Sequence, residues 1–163
     1  MINDLSVLDD EELLALAKVS VERADYEDAL IKMKILLNRD NFPVSIYALF
    51  GRTYTALELY SKAIESFNEF LYHYPEVIPE RFHLGVVYRR MKNNEKALAV
   101  WNEVLELAPA FPPALYNKAL LLLDWHDEDG AIEQLNYIIE NVDPEDDHVE
   151  MASHMLSSIS LSS

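Results

Sequence analysis

A histidine set among carboxylates is the first arrangement in this 163-residue chain that could do chemistry. The stretch DWHDEDG, residues 124–130, surrounds His126 with Asp124, Asp127, Glu128 and Asp129. These are donor types that hold a divalent metal and let it activate water for hydrolysis. The stretch reads as a tight turn between helices, where adjacent side chains diverge rather than converge as a ligand set must. A metal-dependent enzyme built on this turn is therefore a remote alternative. His148 and His154 stand six residues apart, on different faces of a helix, and do not form the i, i+4 pair of a zinc protease. A second acidic run, DDEE at 9–12, lies where a helix would begin. Carboxylates there meet unpaired backbone N–H groups and the positive end of the helix dipole.

No Cys is present, which excludes a thiolate nucleophile, a thiolate metal site and a disulfide framework. Neither a nucleophile motif nor a dinucleotide fingerprint occurs, and three Gly leave little material for a phosphate-binding loop. The expectation is a protein that is not an enzyme, with no catalytic residue, no metal and no cofactor.

Half of the residues are apolar and the net charge is −16. That charge repels nucleic acid and anionic lipid, both of which need clustered Lys and Arg. The opening MINDLSVLDDEELL lacks the basic segment and unbroken apolar run of a secretory signal, and no stretch approaches the length of a membrane span. A cytoplasmic location without membrane insertion is expected. The charge is uneven: residues 78–111 carry five basic residues against four acids, whereas 112–145 carry Lys118 against eight acids.

The elements that must position any site are helices. Apolar residues recur at spacings of three and four: Tyr47, Phe50, Tyr54 and Leu57 share one face, and Ala63, Ile64, Phe67, Phe70 and Leu71 share another. A short connection makes the two helices antiparallel neighbours. Pro75 stops the second, because its ring blocks helical continuation. KAIESF at 62–67 returns as KALAVW at 96–101, 34 residues on. The same shift aligns Gly51 with Gly85, Tyr54 with Tyr88, Phe67 with Trp101 and Pro75 with Pro109. An internal period of this size marks a repeat architecture, whose units bury their cores only by stacking.

The pattern of a large residue, Leu-Gly, Tyr, Ala, Phe, Ala and Pro at fixed offsets resembles the tetratricopeptide repeat. Residues 44–77 carry Tyr47, Phe50, Gly51, Tyr54, Ala63, Phe67, Phe70 and Pro75 at those offsets; residues 78–111 carry Leu84, Gly85, Tyr88, Ala97, Trp101, Val104 and Pro109. The flanking units depart from it. Residues 10–43 have Ser20 where Tyr is usual and Pro43 two places late, and residues 112–145 have Lys118 at a usual Leu and Pro144 one place late. In HVEMASHMLSSI, Val149, Ala152, Met155, Leu156 and Ile159 form one apolar stripe, expected as a capping helix over about residues 146–160.

The resemblance implies an all-α fold, a right-handed superhelical array of about four antiparallel helix-turn-helix repeats plus that helix, as one domain over residues 1–163. It also implies a protein–protein interaction module, an adaptor, scaffold or chaperone, with a peptide held in the groove lined by first helices. The positions that face such a groove include Lys18, Arg52, Phe82, Arg89, Tyr116 and Asn117. The three cations either engage carboxylates of the peptide or pair with neighbouring acids across helices. A small acidic chain with about three repeats and flanking helices also looks like the type III secretion translocator chaperones. A homo-oligomer is possible.

Overall fold

The computed structural model describes residues 5–162. A 3-10 turn, Leu5–Val7, precedes nine α-helices among these residues: α1 (Asp10–Glu22), α2 (Tyr26–Leu37), α3 (Ile46–Ala56), α4 (Tyr60–His73), α5 (Ile78–Arg90), α6 (Asn94–Leu107), α7 (Pro112–Asp124), α8 (Glu128–Asn141) and α9 (Asp147–Ser162). No strand occurs among them, and no helix is long and apolar enough to cross a membrane.

Each helix hairpin is closed by the same turn. Ala24, Glu58, Lys92 and His126 have φ near +60° (58, 58, 60 and 60°) at the 34-residue period. The residue after each donates its N–H back to the previous helix: Asp25 to the Ser20 carbonyl, Leu59 to Tyr54, Asn93 to Tyr88 and Asp127 to Leu122, at 2.8–2.9 Å. A left-handed residue followed by this bond is the Schellman helix stop. The same donor residue is the N-cap of the next helix. Asp25, Asn93 and Asp127 cap it with their side chains, on the N–H of Asp28, Lys96 and Gly130. Leu59 occupies that place before α4 and makes no side-chain cap. One residue thus ends one helix and starts the next, which is why the connections are so short.

Pro75 stands just beyond the C-cap Tyr74 of α4, as its ring requires. The late Pro43 has a visible cost. The α2–α3 connection runs over residues 38–45 and α3 starts without a side-chain cap at Ser45, whereas only 74–77 and 108–111 separate the later pairs.

The chain divides into two compact units at Glu80/Arg81, within α5. In the N-terminal unit, α1 packs on α2, α3 on α4, and α2 and α1 on α3. Its core joins Leu13, Ala17, Met33, Leu36, Ile46 and Phe50. In the C-terminal unit α7 packs on α8, α6 on α7, and α9 on α8 and α7. Leu115, Ala119, Leu135, Ile138 and Ala152 form its core, with Val149, Met155, Leu156 and Ile159 of α9 against it. The apolar stripe expected of the last helix is its buried face; the helix runs to Ser162, two residues beyond the expected end.

Candidate functional site

In the N-terminal unit Lys18 on α1 and Arg52 on α3 line one cavity of about 360 Å³. Val21, Ala48, Leu49 and Phe70 give it an apolar wall, and Glu22, Ser45 and Glu80 its polar one. Lys18 and Arg52 occupy equivalent places, 34 residues apart, on α1 and α3. Their electrostatic situations differ. Arg52 is ion-paired through Nη2 with Glu80, a carboxylate only 7% exposed. Lys18 is exposed and has no ion-pair partner among the described residues.

In the C-terminal unit the pairing is again internal. Arg89 on α5 sets Nη2 3.3 Å from Asp124 Oδ2, and donates from Nη1 to the carbonyl and the Oδ1 of Asn117 on α7, both at 3.4 Å. Asn117 donates from Nδ2 to the Pro113 carbonyl at 2.8 Å, which fixes its amide. Phe82 is half-buried in an aromatic group, its centroid 5.7 Å from Phe111 edge-on and 6.2 Å from Trp101. Tyr116 lies edge-on to His148 of α9 at 6.0 Å. The backbone N–H of His148 donates to Asp146, and its Nδ1 lies 2.8 Å from the same carboxylate; these bonds hold Asp146 below the usual carboxylate range.

The structure therefore brings Lys18 and Arg52 together in one unit, and Arg89 with Asn117 in the other. Of the two fates open to the groove cations, Arg52 and Arg89 take pairing across helices, and Lys18 does not. Glu80 escaped the sequence reading as a partner. The signal was present, since Glu80 lies 28 residues from Arg52, as Asn117 does from Arg89.

Ser20, which replaces the usual Tyr, anchors a polar cluster between α1 and α2. Its Oγ lies 2.5 Å from Asp28 Oδ2 and 2.9 Å from the Leu16 carbonyl, and accepts from Lys32 Nζ at 3.2 Å. Lys32, 8% exposed, is ion-paired with Asp28. Bonds from Lys32, then Ser20, lower the Asp28 pKa. The hydroxyl is held by acceptors and the Lys32 amine is bound to Asp28, so this is a structural network and not a nucleophile with its base.

The DWHDEDG stretch is absorbed by the fold. Trp125 is the C-cap of α7, His126 the left-handed residue and Asp127 the N-cap of α8. No group of three or more His, Asp or Glu side chains among the described residues could hold a metal ion.

Comparison with known proteins agrees with this architecture. Residues 44–76 and 81–111 match the family described as tetratricopeptide repeat. No curated protein matches the sequence. Among solved structures, YrrB, described as a TPR protein with an unusual peptide-binding site, superposes with a TM-score of 0.75 at 19% identity, over 94% of this chain and 76% of YrrB. TTC0263, a thermophilic TPR protein in Thermus thermophilus, gives 0.73 at 22% identity, over 91% and 81% of the two chains. MamA gives 0.74 at 20% identity, over 81% and 77%. The two matched stretches are thus tetratricopeptide-like repeats, in keeping with the 34-residue period, and the described helices share the fold of these solved TPR proteins.

Proposed function

We propose that the chain is a non-catalytic protein–protein interaction module, an adaptor, scaffold or chaperone, that binds a peptide segment along the first helices of its repeats. The observation that carries this reading is the N-terminal cavity, where Lys18, with no ion-pair partner among the described residues, stands beside the apolar wall of Val21, Ala48, Leu49 and Phe70. An apolar side chain followed by a carboxylate is the ligand chemistry that such a surface complements. Phe82, Tyr116 and Asn117 are the proposed contacts in the C-terminal unit, as aromatic area and amide pairing. The acidity of the surroundings favours one locally placed acid over a polyacidic run.

Lys18 is the residue to test. Reversing Arg52 would set a second negative charge against buried Glu80 and confound binding with unfolding. A displayed peptide library panned on the chain should yield segments with an acid beside apolar anchors, bound at about 1 μM, or roughly −8 kcal/mol. Lys18→Glu should weaken those peptides while leaving helicity intact by circular dichroism. Selected peptides without an acid, or undiminished binding by the folded variant, would overturn the reading.

A further inference from the structure

Helix α3 has a second lined face, opposite the one that carries Ala48, Leu49 and Arg52. There Tyr47, Phe50 and Tyr54 floor a cavity of about 370 Å³ between α2 and α4. Phe50 and Tyr54 are stacked with centroids 5.6 Å apart. Helix α4 supplies Lys62, Glu65 and Glu69 to the wall. The Lys62 ammonium lies 5.6 Å from the centroid of Tyr54, so this ring already receives a cation. Glu69 has His73 Nε2 at 3.5 Å, and Glu65 has no ion-pair partner among the described residues.

The repeat register indicates what such a groove holds. A step of 34 residues puts Arg81 at the place of Tyr47 and Glu103 at the place of Glu69, and Arg81 Nη1 lies 2.5 Å from Glu103 Oε2. A step of 68 puts Lys118 at the place of Phe50 and Glu133 at the place of Glu65, and these two line one groove with Leu105, Leu115 and Tyr137. In the C-terminal unit the chain thus sets its own cation beside an acid of the second helix. In the N-terminal unit both cation places are aromatic while the acids remain.

We propose that this α2–α3–α4 groove binds an arginine side chain presented by a basic segment of a partner protein. The planar guanidinium stacks on Tyr54, the half-buried ring of the pair, with buried Phe50 backing it, and reaches Glu65 and Glu69 with its forked donors. The net charge of −16 draws such a segment toward the protein. Lys62 acts as the internal competitor, because it covers Tyr54 and repels the incoming cation. This site is independent of the Lys18 cavity on the other face of α3.

The test is an NMR titration of the ¹⁵N-labelled full chain with acetyl-Gly-Arg-Gly-Arg-Gly-amide, and with the same peptide carrying uncharged, isosteric citrulline for both arginines. Saturable shifts centred on Tyr54 and Glu65, absent with citrulline, are expected. Glu65→Gln with Glu69→Gln should weaken binding about tenfold, whereas Lys62→Met should tighten it about threefold. All three side chains are on the surface, so the variants keep the fold. Absence of saturable shifts would overturn the proposal, as would an equal response to citrulline, shifts confined to the Lys18 face or the C-terminal unit, or a Lys62→Met variant that binds no better.

Discussion

Trp101 lies directly on the bare Cα of Gly85: a Cβ built at Gly85 would stand 2.3 Å from the indole Nε1 and 2.6 Å from Cδ1. The indole, fully buried, donates to the Phe82 carbonyl at 3.3 Å, so it cannot swing aside without losing a bond. Gly51 and Phe67 stand in the same relation, with contacts of 2.7–2.8 Å. At the equivalent places the flanking repeats have Ala17 with Met33 and Ala119 with Leu135, a larger residue on one helix and a smaller one on the other. Each pair fills one inter-helix volume, as close packing demands.

Gly85→Leu should therefore overpack this hairpin and lower stability by on the order of 1–3 kcal/mol or more. Thermal unfolding followed by circular dichroism reads this directly. An unchanged melting temperature would mean that α5 and α6 do not approach through Gly85.

Leu59 has φ −85° and ψ 63°, close to the −87° and 74° of Asp25 and the −92° and 75° of Asp127, and its side chain is 44% exposed. The backbone is already set for a cap that the side chain does not supply. Leu59→Asp should bond the N–H of Lys62 and raise stability by about 0.5–2 kcal/mol. A melting temperature that fails to rise would show that the leucine contributes more by packing than the cap returns.

Left-handed backbone at Glu58 costs a side-chain-bearing residue roughly 1–2 kcal/mol, against a smaller entropic loss for glycine. Glu58→Gly is expected to raise stability by up to about 1 kcal/mol, as measured by urea unfolding. Ala56→Gly, two residues earlier at the last position of α3, where the backbone is right-handed helical, is the control and should give no such gain.

The Asp28 carboxyl is held below its ordinary value in the folded protein by bonds from Lys32 and Ser20. A folded pKa below the unfolded one gives stability that is present above the unfolded value, about 3.9, and is lost as pH falls through the folded value. Asp28→Asn should therefore melt lower than the parent at pH 7, and the gap should narrow below about pH 4. A gap constant from pH 7 to pH 3 would assign the network no part in acid sensitivity.

Deletion of residues 146–163 removes the face of α9 that covers Leu115, Leu135 and Ile138. Exposed apolar area of that kind promotes association and dye binding, because the end units of a repeat array need a polar outer surface. Light scattering of the truncated chain should show aggregation; a monodisperse, equally stable product would make α9 dispensable to the core.

Much of this was legible in the chain itself. Periodicity at three and four marked the helices, and the 34-residue self-similarity fixed which positions correspond. The small residue at positions 17, 51, 85 and 119 and its larger partner sixteen residues later set the hairpin packing, because complementary volumes sit on neighbouring helices of one short unit. The left-handed turns were less visible, since Ala24, Glu58, Lys92 and His126 share no residue type and only the backbone bonds impose their conformation. Charge was least legible. Sequence placed Lys18 and Arg52 at equivalent sites and Arg89 three places further along the first helix of its own unit, but the packing of α1, α3, α5 and α7 within their units decided that Glu80 would meet Arg52, that Asp124 and Asn117 would meet Arg89, and that Lys18 would have no ion-pair partner among the described residues. Local pattern determines helices because their bonds span four residues; ion pairing depends on side chains brought together from 28 to 35 residues apart, and only the packed helices choose among the acids within reach.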